Sequence, residues 1–237
     1  MSSQEAEKFY RHVINILLKN KIPFMIGGTY AFRAYTGIQR ETKDIDLITT
    51  KSNCKKILSL FKKQGYATEI LDAKWLGKIY HNDNFVDVIF AERNGIYKVK
   101  NSWFRLLRKG NVLGRTVPLM PLEYMISTKA YVKFREKYDG SDINYLLLQY
   151  AREINWQVLT RQIATHWQLL FAHILMFAFV FPSEKNAIPS WVVKLYLKKA
   201  NEYFSIPPPQ ERITKGHLIS YEYTWAINKW EYKPVSL

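Results

Sequence analysis

Cysteine is almost absent from this sequence, and its scarcity narrows the kinds of site that the chain can contain. Cys54 is the only cysteine among 237 residues. An intramolecular disulfide and a cysteine-rich zinc site are therefore both excluded, which fits a reducing compartment. The first residues lack the basic-then-apolar order and the cleavage site of a signal peptide, and they predict an amphipathic helix instead. We therefore expect a cytoplasmic protein.

A long uninterrupted hydrophobic run is also missing. The apolar stretch from Leu169 to Phe181 contains His173 and is closed by Pro182. It is shorter than the roughly 18–20 apolar residues that a membrane span needs. The stretch therefore predicts a buried core helix, and we expect no association with a membrane.

Acidic residues are scarce relative to basic ones. Twenty Asp and Glu residues stand against 35 Lys and Arg residues, which gives a formal charge of +15. This balance favours partners that carry phosphates, such as nucleotides, RNA or DNA, although many soluble proteins are basic for solubility alone. A content of 48% hydrophobic residues is typical of a globular protein. The length suits one large domain or two smaller ones.

The hydrophobic periodicity divides the chain into two parts. In the first part, helices are predicted near 3–19, 29–35 and 52–63, and strands near 22–26, 44–48, 76–81 and 84–90. Pro121 is placed to begin a helix, and the pattern after it is almost wholly helical, near 122–136, 140–150, 155–180 and 188–204. We therefore predict an N-terminal domain over 1–120 and a helical domain over 121–237 with an aromatic-rich tail.

Two carboxylates stand close together in the segment Thr42-Lys43-Asp44-Ile45-Asp46-Leu47. The period of two along a strand turns Asp44 and Asp46 to the same face. Two like charges so close are unfavourable unless a cation neutralises them, and hard divalent ions prefer carboxylate oxygens. A solvated strand end is the alternative for the pair taken alone.

Asp87 and Gly27-Gly28 add two further signals. Asp87 is the single carboxylate of an otherwise apolar strand, where an unpaired buried charge would be very costly. It either shares a metal site or faces water from a half-exposed strand. Gly27 and Gly28 lie between a predicted strand and a predicted helix, where residues without side chains let backbone N–H groups approach a phosphate. A Gly-Gly pair by itself is more often an ordinary turn.

The order and spacing of these features are more specific than any one of them. Gly27-Gly28-Thr29 followed by the Asp44-Ile45-Asp46 segment resembles the signature of the polymerase-beta-like nucleotidyltransferases, over about residues 20–92. The resemblance implies an α+β fold, with a nucleotidyltransferase-type mixed sheet, flanking helices and a C-terminal helical domain. The active site is then expected to open between the two domains.

The resemblance also implies roles for individual residues. Asp44, Asp46 and Asp87 are expected to bind the metal ions, Mg²⁺ or Mn²⁺, that clamp the attacking hydroxyl and the departing pyrophosphate. Asp87 is also placed to help deprotonate the nucleophile. The Gly27-Gly28-Thr29 turn is expected to hold the triphosphate of a nucleoside triphosphate such as ATP.

Four further residues are weaker candidates for nucleotide binding. The segment from Pro121 to Ile143 resembles the helical part of bacterial nucleotidyltransferase-like proteins, toxin-type members included, and implies that Lys129 contacts the triphosphate and that Asp142 orients it. An exposed helix cation at Lys129 and a helix cap or surface ion pair at Asp142 are equally good explanations. Arg40 and Lys43 flank the paired carboxylates and are candidate phosphate ligands, Arg40 the better because a guanidinium can grip two oxygens.

The predicted function is metal-dependent transfer of a nucleoside monophosphate to a hydroxyl-bearing acceptor. RNA, a tRNA end included, is the expected acceptor on grounds of charge, followed by a small molecule such as an aminoglycoside or by a protein side chain. A non-catalytic nucleotide- or RNA-binding module is the alternative from another class, and the three intact carboxylates argue against it. A toxin silenced by an inhibitory partner protein is a third possibility.

Overall fold

The structure is a computed structural model and describes residues 3–235. Contacts between Cα atoms divide the chain into two compact units, one ending at Pro121 and the other beginning at Leu122. We call them the sheet unit and the helical unit.

Within residues 3–121 the sheet unit contains three α-helices and seven strands. The helices are α1 (Ser3–Lys19), α2 (Gly28–Thr36) and α3 (Lys51–Lys63). The strands are β1 (Met25–Ile26), β2 (Ile45–Ile48), β3 (Ala67–Asp72), β4 (Leu76–His81), β5 (Asn84–Ile89), β6 (Arg108–Val112) and β7 (Arg115–Leu119). They form one sheet in the order β3-β4-β5-β2-β1-β7-β6.

The sheet is mixed, as predicted. β2 runs parallel to β5 and β1 parallel to β7, whereas the other neighbouring pairs are antiparallel. Helix α3 packs on β3 and β4, and α2 packs on β2 and β6. The predicted α+β fold with flanking helices is therefore confirmed.

The apolar face of α1 shows why this segment is a helix that packs against the core. Phe9, Val13, Ile14 and Leu17 are 0–4% exposed and recur at the spacing of one helix face. Buried side chains of the central strands, such as Leu47, continue the same core. The core therefore packs against β2 and its neighbours, the strands that carry the carboxylates.

The helical unit contains six α-helices and one short pair of strands within residues 122–235. The helices are α4 (Leu122–Lys129), α5 (Gly140–Tyr150), α6 (Trp156–Gln162), α7 (Trp167–Val180), α8 (Ser190–Ser205) and α9 (Thr224–Trp230). Strands β8 (Ile213–Thr214) and β9 (Lys233–Pro234) pair with each other in parallel. No single helix within residues 3–235 meets the length and hydropathy of a membrane span, while the bent pair Trp156–Gln162 and Ala164–Val180 does so jointly.

Several predicted boundaries are wrong. The helix predicted over 122–136 ends at Lys129, because residues 133–138 turn back on themselves through an antiparallel bridge between Lys133 and Tyr138. The helix predicted over 155–180 is broken by a 3₁₀ turn at Ala164–His166. Strands β3, β6 and β7 were not predicted. β3 is mostly exposed and lacks a clear apolar alternation.

Candidate active site

The pairing of two parallel strands brings three carboxylates together. In the register of β2 and β5, Asp46 lies directly beside Asp87, and Asp44 immediately precedes β2. One carboxylate oxygen of each residue lies within 4.8 Å of those of the other two. Within residues 3–235 no other group of three His, Cys, Asp or Glu side chains comes together in this way. The predicted convergence of Asp44, Asp46 and Asp87 is therefore what the fold produces, and we call these residues the acidic cluster.

The Gly27-Gly28 turn lies against this cluster. The backbone N–H of Gly27 donates to the carbonyl oxygen of Asp46 at 2.9 Å, and α2 begins at Gly28. Gly28 has a φ of +52°, a conformation that residues with a side chain rarely adopt. A Cβ there would lie 1.7 Å from Oδ2 of Asp46. Glycine is therefore required both by the backbone and by the position of the Asp46 carboxylate.

Asp87 is buried but does not lack a partner. It is 9% exposed, which excludes the water-facing alternative. Nζ of Lys78 lies 2.7 Å from Oδ1 of Asp87 and 3.6 Å from the centre of the Phe85 ring. Burial raises the pKa of Asp87, Lys78 lowers it, and Asp44 raises it further, with a net upward shift. The ammonium therefore offsets only part of the cost of burying this carboxylate.

Lys78 and Tyr10 belong to the site but were missed in the sequence. Lys78 lies directly across from Asp87 in the antiparallel pairing of β4 with β5, so only the strand register could have revealed it. The Tyr10 hydroxyl, from α1, donates to the carbonyl oxygen of Lys43 at 2.9 Å. Burial, together with the charges of Tyr30, Asp44 and Asp87, raises the pKa of Tyr10 to about 12. Tyr10 therefore remains a neutral hydrogen-bond donor that anchors the chain just before Asp44.

The cluster has the donor chemistry of a site for a hard divalent cation. Asp44 is oriented by the Thr42 hydroxyl, which donates to its Oδ1 at 2.8 Å. The neighbouring Asp46 and Asp87 supply further oxygens, which are the ligands that Mg²⁺ and Mn²⁺ prefer. The Lys78 ammonium neutralises part of the negative charge at Asp87. These residues fit a divalent ion.

Three of the other predicted residues lie in the sheet unit near the cluster in sequence. Thr29 follows Gly28 in the first turn of α2. The guanidinium of Arg40 lies over the ring of Phe32, with Cζ 4.5 Å from the ring centre. Lys43 is exposed. Phosphate binding by these side chains remains a prediction.

Lys129 and Asp142 form an ion-pair cluster with Asp139 inside the helical unit. Nζ of Lys129 lies 2.9 Å from Oδ2 of Asp139 and 2.7 Å from Oδ2 of Asp142, and its side chain is 13% exposed. Burial lowers the pKa of Lys129, but the two carboxylates outweigh it, and the pKa is raised overall. This geometry gives both residues a structural role. Their contact with a nucleotide remains a prediction.

Comparisons with known proteins identify a family and similar folds. Residues 10–144 match the model of a family described as aminoglycoside-2''-adenylyltransferase, a range that includes the whole acidic cluster. The antibiotic-resistance factor ANT(2'')-Ia has a similar fold, with a TM-score of 0.51 and 19% identity over 73% of this chain and 98% of that one. The lincosamide antibiotic adenylyltransferase LnuA, solved with lincomycin bound, has a TM-score of 0.44 and 20% identity over 62% and 96%. No curated protein matches the chain.

Proposed function

The chain belongs to the aminoglycoside-2''-adenylyltransferase family, and from that premise we propose that it transfers an adenylyl group from ATP to a hydroxyl group of a small, aminoglycoside-type acceptor. The predicted nucleotidyltransferase activity, which moves a nucleoside monophosphate from a nucleoside triphosphate to a hydroxyl acceptor, is confirmed by the family. The observation that carries the proposal is the convergence of Asp44, Asp46 and Asp87 within 4.8 Å beside the Gly27-Gly28 turn.

The acidic cluster would hold the divalent cation and receive a proton. A bound divalent ion supplies positive charge that stabilises the phosphate oxygens during transfer. The oxygen of the acceptor attacks the α-phosphorus as the bond to pyrophosphate breaks, and the hydroxyl proton passes to a carboxylate. Asp87 is our candidate for that base, because burial raises its pKa and thereby increases its proton affinity. Asp44 and Asp46 would serve as ligands of the ion.

The Gly27-Gly28-Thr29 turn would bind the triphosphate. Helix α2 begins at Gly28, so its first N–H groups point back toward the turn. A helix N-terminus attracts anions. The absence of a side chain at Gly28 leaves room for the Asp46 carboxylate, so a metal ion held by Asp46 would lie beside the turn. Arg40 and Lys43 would add positive charge on the segment that leads to Asp44.

A small acceptor is favoured over RNA by the family description. The net charge of +15 had favoured RNA, but net charge also follows from solubility and names no acceptor. The comparisons give no support to an RNA acceptor or to an inhibitory partner protein. Both therefore become outcomes of the experiment below.

The test is a transfer assay with a panel of acceptors. The purified chain is incubated with each α-labelled nucleoside triphosphate, Mg²⁺ or Mn²⁺, and one of tobramycin, lincomycin or total RNA. The double variant Asp44→Asn, Asp46→Asn is run in parallel. Asp83→Asn is the matched control, because Asp83 is an exposed aspartate in the turn between β4 and β5.

The expected result is label from ATP on tobramycin with the intact chain and with Asp83→Asn, and none with the double variant. Label on RNA or on lincomycin alone would overturn the proposed acceptor and retain the nucleotidyl transfer. Equal transfer by the double variant would overturn the assignment of the acidic cluster.

A further inference from the structure

The helical unit contains a cavity of about 510 Å³ that the proposed function does not use. It lies among the end of α4, the start of α7, the end of α8 and the segment 209–223. Its size falls within the roughly 300–1,000 Å³ of small-molecule pockets. Among its lining residues only Tyr131 belongs to the range matched by the family model. The cavity is therefore a feature that the family description does not explain.

The floor of the cavity is buried and uncharged. Tyr131 is 4% and His166 8% exposed, and the Tyr131 hydroxyl and Nδ1 of His166 form a hydrogen bond of 2.8 Å. Burial, followed by the charge of Lys215, lowers the pKa of His166, so its ring is neutral at neutral pH. The buried Leu218 also faces the cavity. Two rings and an aliphatic side chain offer a surface for a flat apolar group.

The mouth of the cavity carries positive charge. Among its described lining residues Lys215 is the only one with a full charge, and none of them is a carboxylate. Lys215 is exposed, as are Tyr203 and Tyr223 at the same opening. An ammonium at an opening without carboxylates attracts an anion and repels a cation. The cavity therefore does not suit a polycationic acceptor.

Hydrogen bonds within the helical unit hold the walls in place without a ligand. The N–H of Lys133 donates to the carbonyl oxygen of Ile219 at 3.2 Å, and the N–H of Gly216 donates to the hydroxyl of Thr214 at 3.0 Å. A Cβ at Gly216 would lie 2.2 Å from Cγ of Tyr223, so glycine is needed for this close packing. The walls are therefore preformed, which reduces the ordering cost of binding.

We propose that this cavity is a second ligand site, which binds a small organic anion with a ring-shaped apolar body. The ring packs on Tyr131 and His166 at the floor, and the anionic group lies beside Lys215 at the mouth. The site is additional to the nucleotide and the hydroxyl acceptor of the proposed reaction.

The test is isothermal titration calorimetry of the full chain with 1-naphthoate. The cation 1-naphthylmethylammonium, which has the same ring system, is the matched ligand. We expect 1-naphthoate to bind at least about tenfold more tightly than the cation. The anion gains a charge-assisted contact with Lys215, whereas the cation is repelled by it. Equal affinity of the two ligands would overturn the proposal.

Substitutions inside and outside the cavity locate the binding. Lys215→Gln is expected to weaken the binding of 1-naphthoate about fivefold. The factor is modest because the ammonium is exposed and screened. Leu169→Trp places a large side chain in the cavity and is expected to abolish binding. If circular dichroism shows that Leu169→Trp has not folded, Thr214→Trp is used in its place. Lys229→Gln is the control, since Lys229 is exposed on α9 outside the cavity. An equal loss in Lys229→Gln would mean general surface attraction and would overturn the site.

The double variant Asp44→Asn, Asp46→Asn separates this proposal from the proposed function. It is expected to keep the affinity for 1-naphthoate while losing nucleotidyl transfer. Loss of 1-naphthoate binding in a folded double variant would show that the binding depends on the sheet unit and would overturn the second site. Failure of the intact chain to transfer an adenylyl group would leave the binding result unaffected.

Discussion

The sheet unit and the helical unit each contain a cluster of charged side chains, and the two clusters are built in opposite ways. In the sheet unit, Asp44, Asp46 and Asp87 bring carboxylate oxygens within 4.8 Å of one another at neighbouring parallel strands. In the helical unit, Asp139 and Asp142 both turn toward a single ammonium, that of Lys129, at 2.9 and 2.7 Å. The carboxylates converge on each other in one case and on a cation in the other.

This difference is the one expected between a binding site and a contact that stabilises the fold. Like charges at short distance raise the free energy of the folded chain unless a cation joins them. Opposite charges in a poorly solvated position stabilise each other, and removing either one leaves an uncompensated charge. Substitutions in the acidic cluster should therefore change activity more than stability, and substitutions in the helical cluster should change stability more than activity.

The largest expected effect is on catalysis in the acidic cluster. Asp44→Asn with Asp46→Asn should lower the rate of nucleotidyl transfer by about 10³-fold or more, since a metal ion contributes several kcal/mol of charge stabilisation. Urea unfolding in the presence of a chelator should show unchanged stability or a gain of about 0.5 kcal/mol, because repulsion between neighbouring like charges is relieved. A loss of stability comparable to that of the helical cluster would break the comparison. Asp83→Asn is the control for both readouts.

The largest expected effect on stability is in the helical cluster. Lys129→Met should lower the free energy of unfolding by about 3 kcal/mol, because Asp139 and Asp142 lose the ammonium between them. Urea denaturation measures the change, with Lys137→Met as an exposed control in the same unit. An unchanged stability together with a raised KM for ATP would instead favour the triphosphate contact that the sequence resemblance implies.

A smaller effect on stability is expected from the protonation of His173. This buried polar group of the helical unit has no carboxylate partner among its described contacts. Burial, together with Lys133, lowers the pKa of His173 from 6.5 to about 4. Below pH 6.5 the unfolded chain binds a proton that the folded chain does not, so stability present above that pH is lost as the pH falls toward 4. The loss between pH 6.5 and pH 5 should be about 2 kcal/mol.

Unfolding by urea at a series of pH values measures this loss. His173→Gln keeps an acceptor for the Lys133 ammonium, whose Nζ lies 3.2 Å from Nε2 of His173. The free energy of unfolding of this variant should depend less on pH. His12→Gln removes an exposed histidine and should leave the dependence unchanged. An equal dependence on pH in His173→Gln and the unaltered chain would contradict the assignment.

The smallest expected effect is at the ion pair that joins Lys78 to the acidic cluster. Lys78→Gln should lower the free energy of unfolding by about 1 kcal/mol in the presence of a chelator, less than Lys129→Met, because one carboxylate instead of two loses the ammonium and the Gln amide can still donate a hydrogen bond to it. Addition of Mg²⁺ should then raise the Tm of Lys78→Gln more than that of the unaltered chain, since the ion meets less positive charge. Lys74→Gln, which alters an exposed lysine nearby in sequence, should behave as the unaltered chain.

The acidic cluster was predictable because it depends on local patterns. The spacing of Asp44 and Asp46 follows from the period of a strand, and Asp87 stands out as a carboxylate in an apolar strand. Lys78 was not predictable, because its contact with Asp87 depends on how β4 pairs with β5. One residue of slip would turn that ammonium to the other face of the sheet.

The fold was predictable where periodicity was strong and failed where it was weak. Helices such as α1 and α5 were found close to their observed bounds, but β6 and β7 were missed. They are joined at Leu113-Gly114, where both residues have positive φ, and Leu at such a position is no ordinary turn signal. The break between α6 and α7 contains neither Pro nor Gly, so only packing within the helical unit explains it.

The register of β2 and β5 has a consequence for how this enzyme tolerates change over generations. Asp46 and Asp87 are neighbours because backbone amides pair the two strands, and that separation is common to all sheets, about 4.8 Å. Conservative exchanges among the apolar side chains below, such as Leu47, leave the pairing of the amides intact. Conservative substitutions in the core therefore do not change the spacing of the carboxylates. The surrounding sequence can change while the geometry of the acidic cluster is kept.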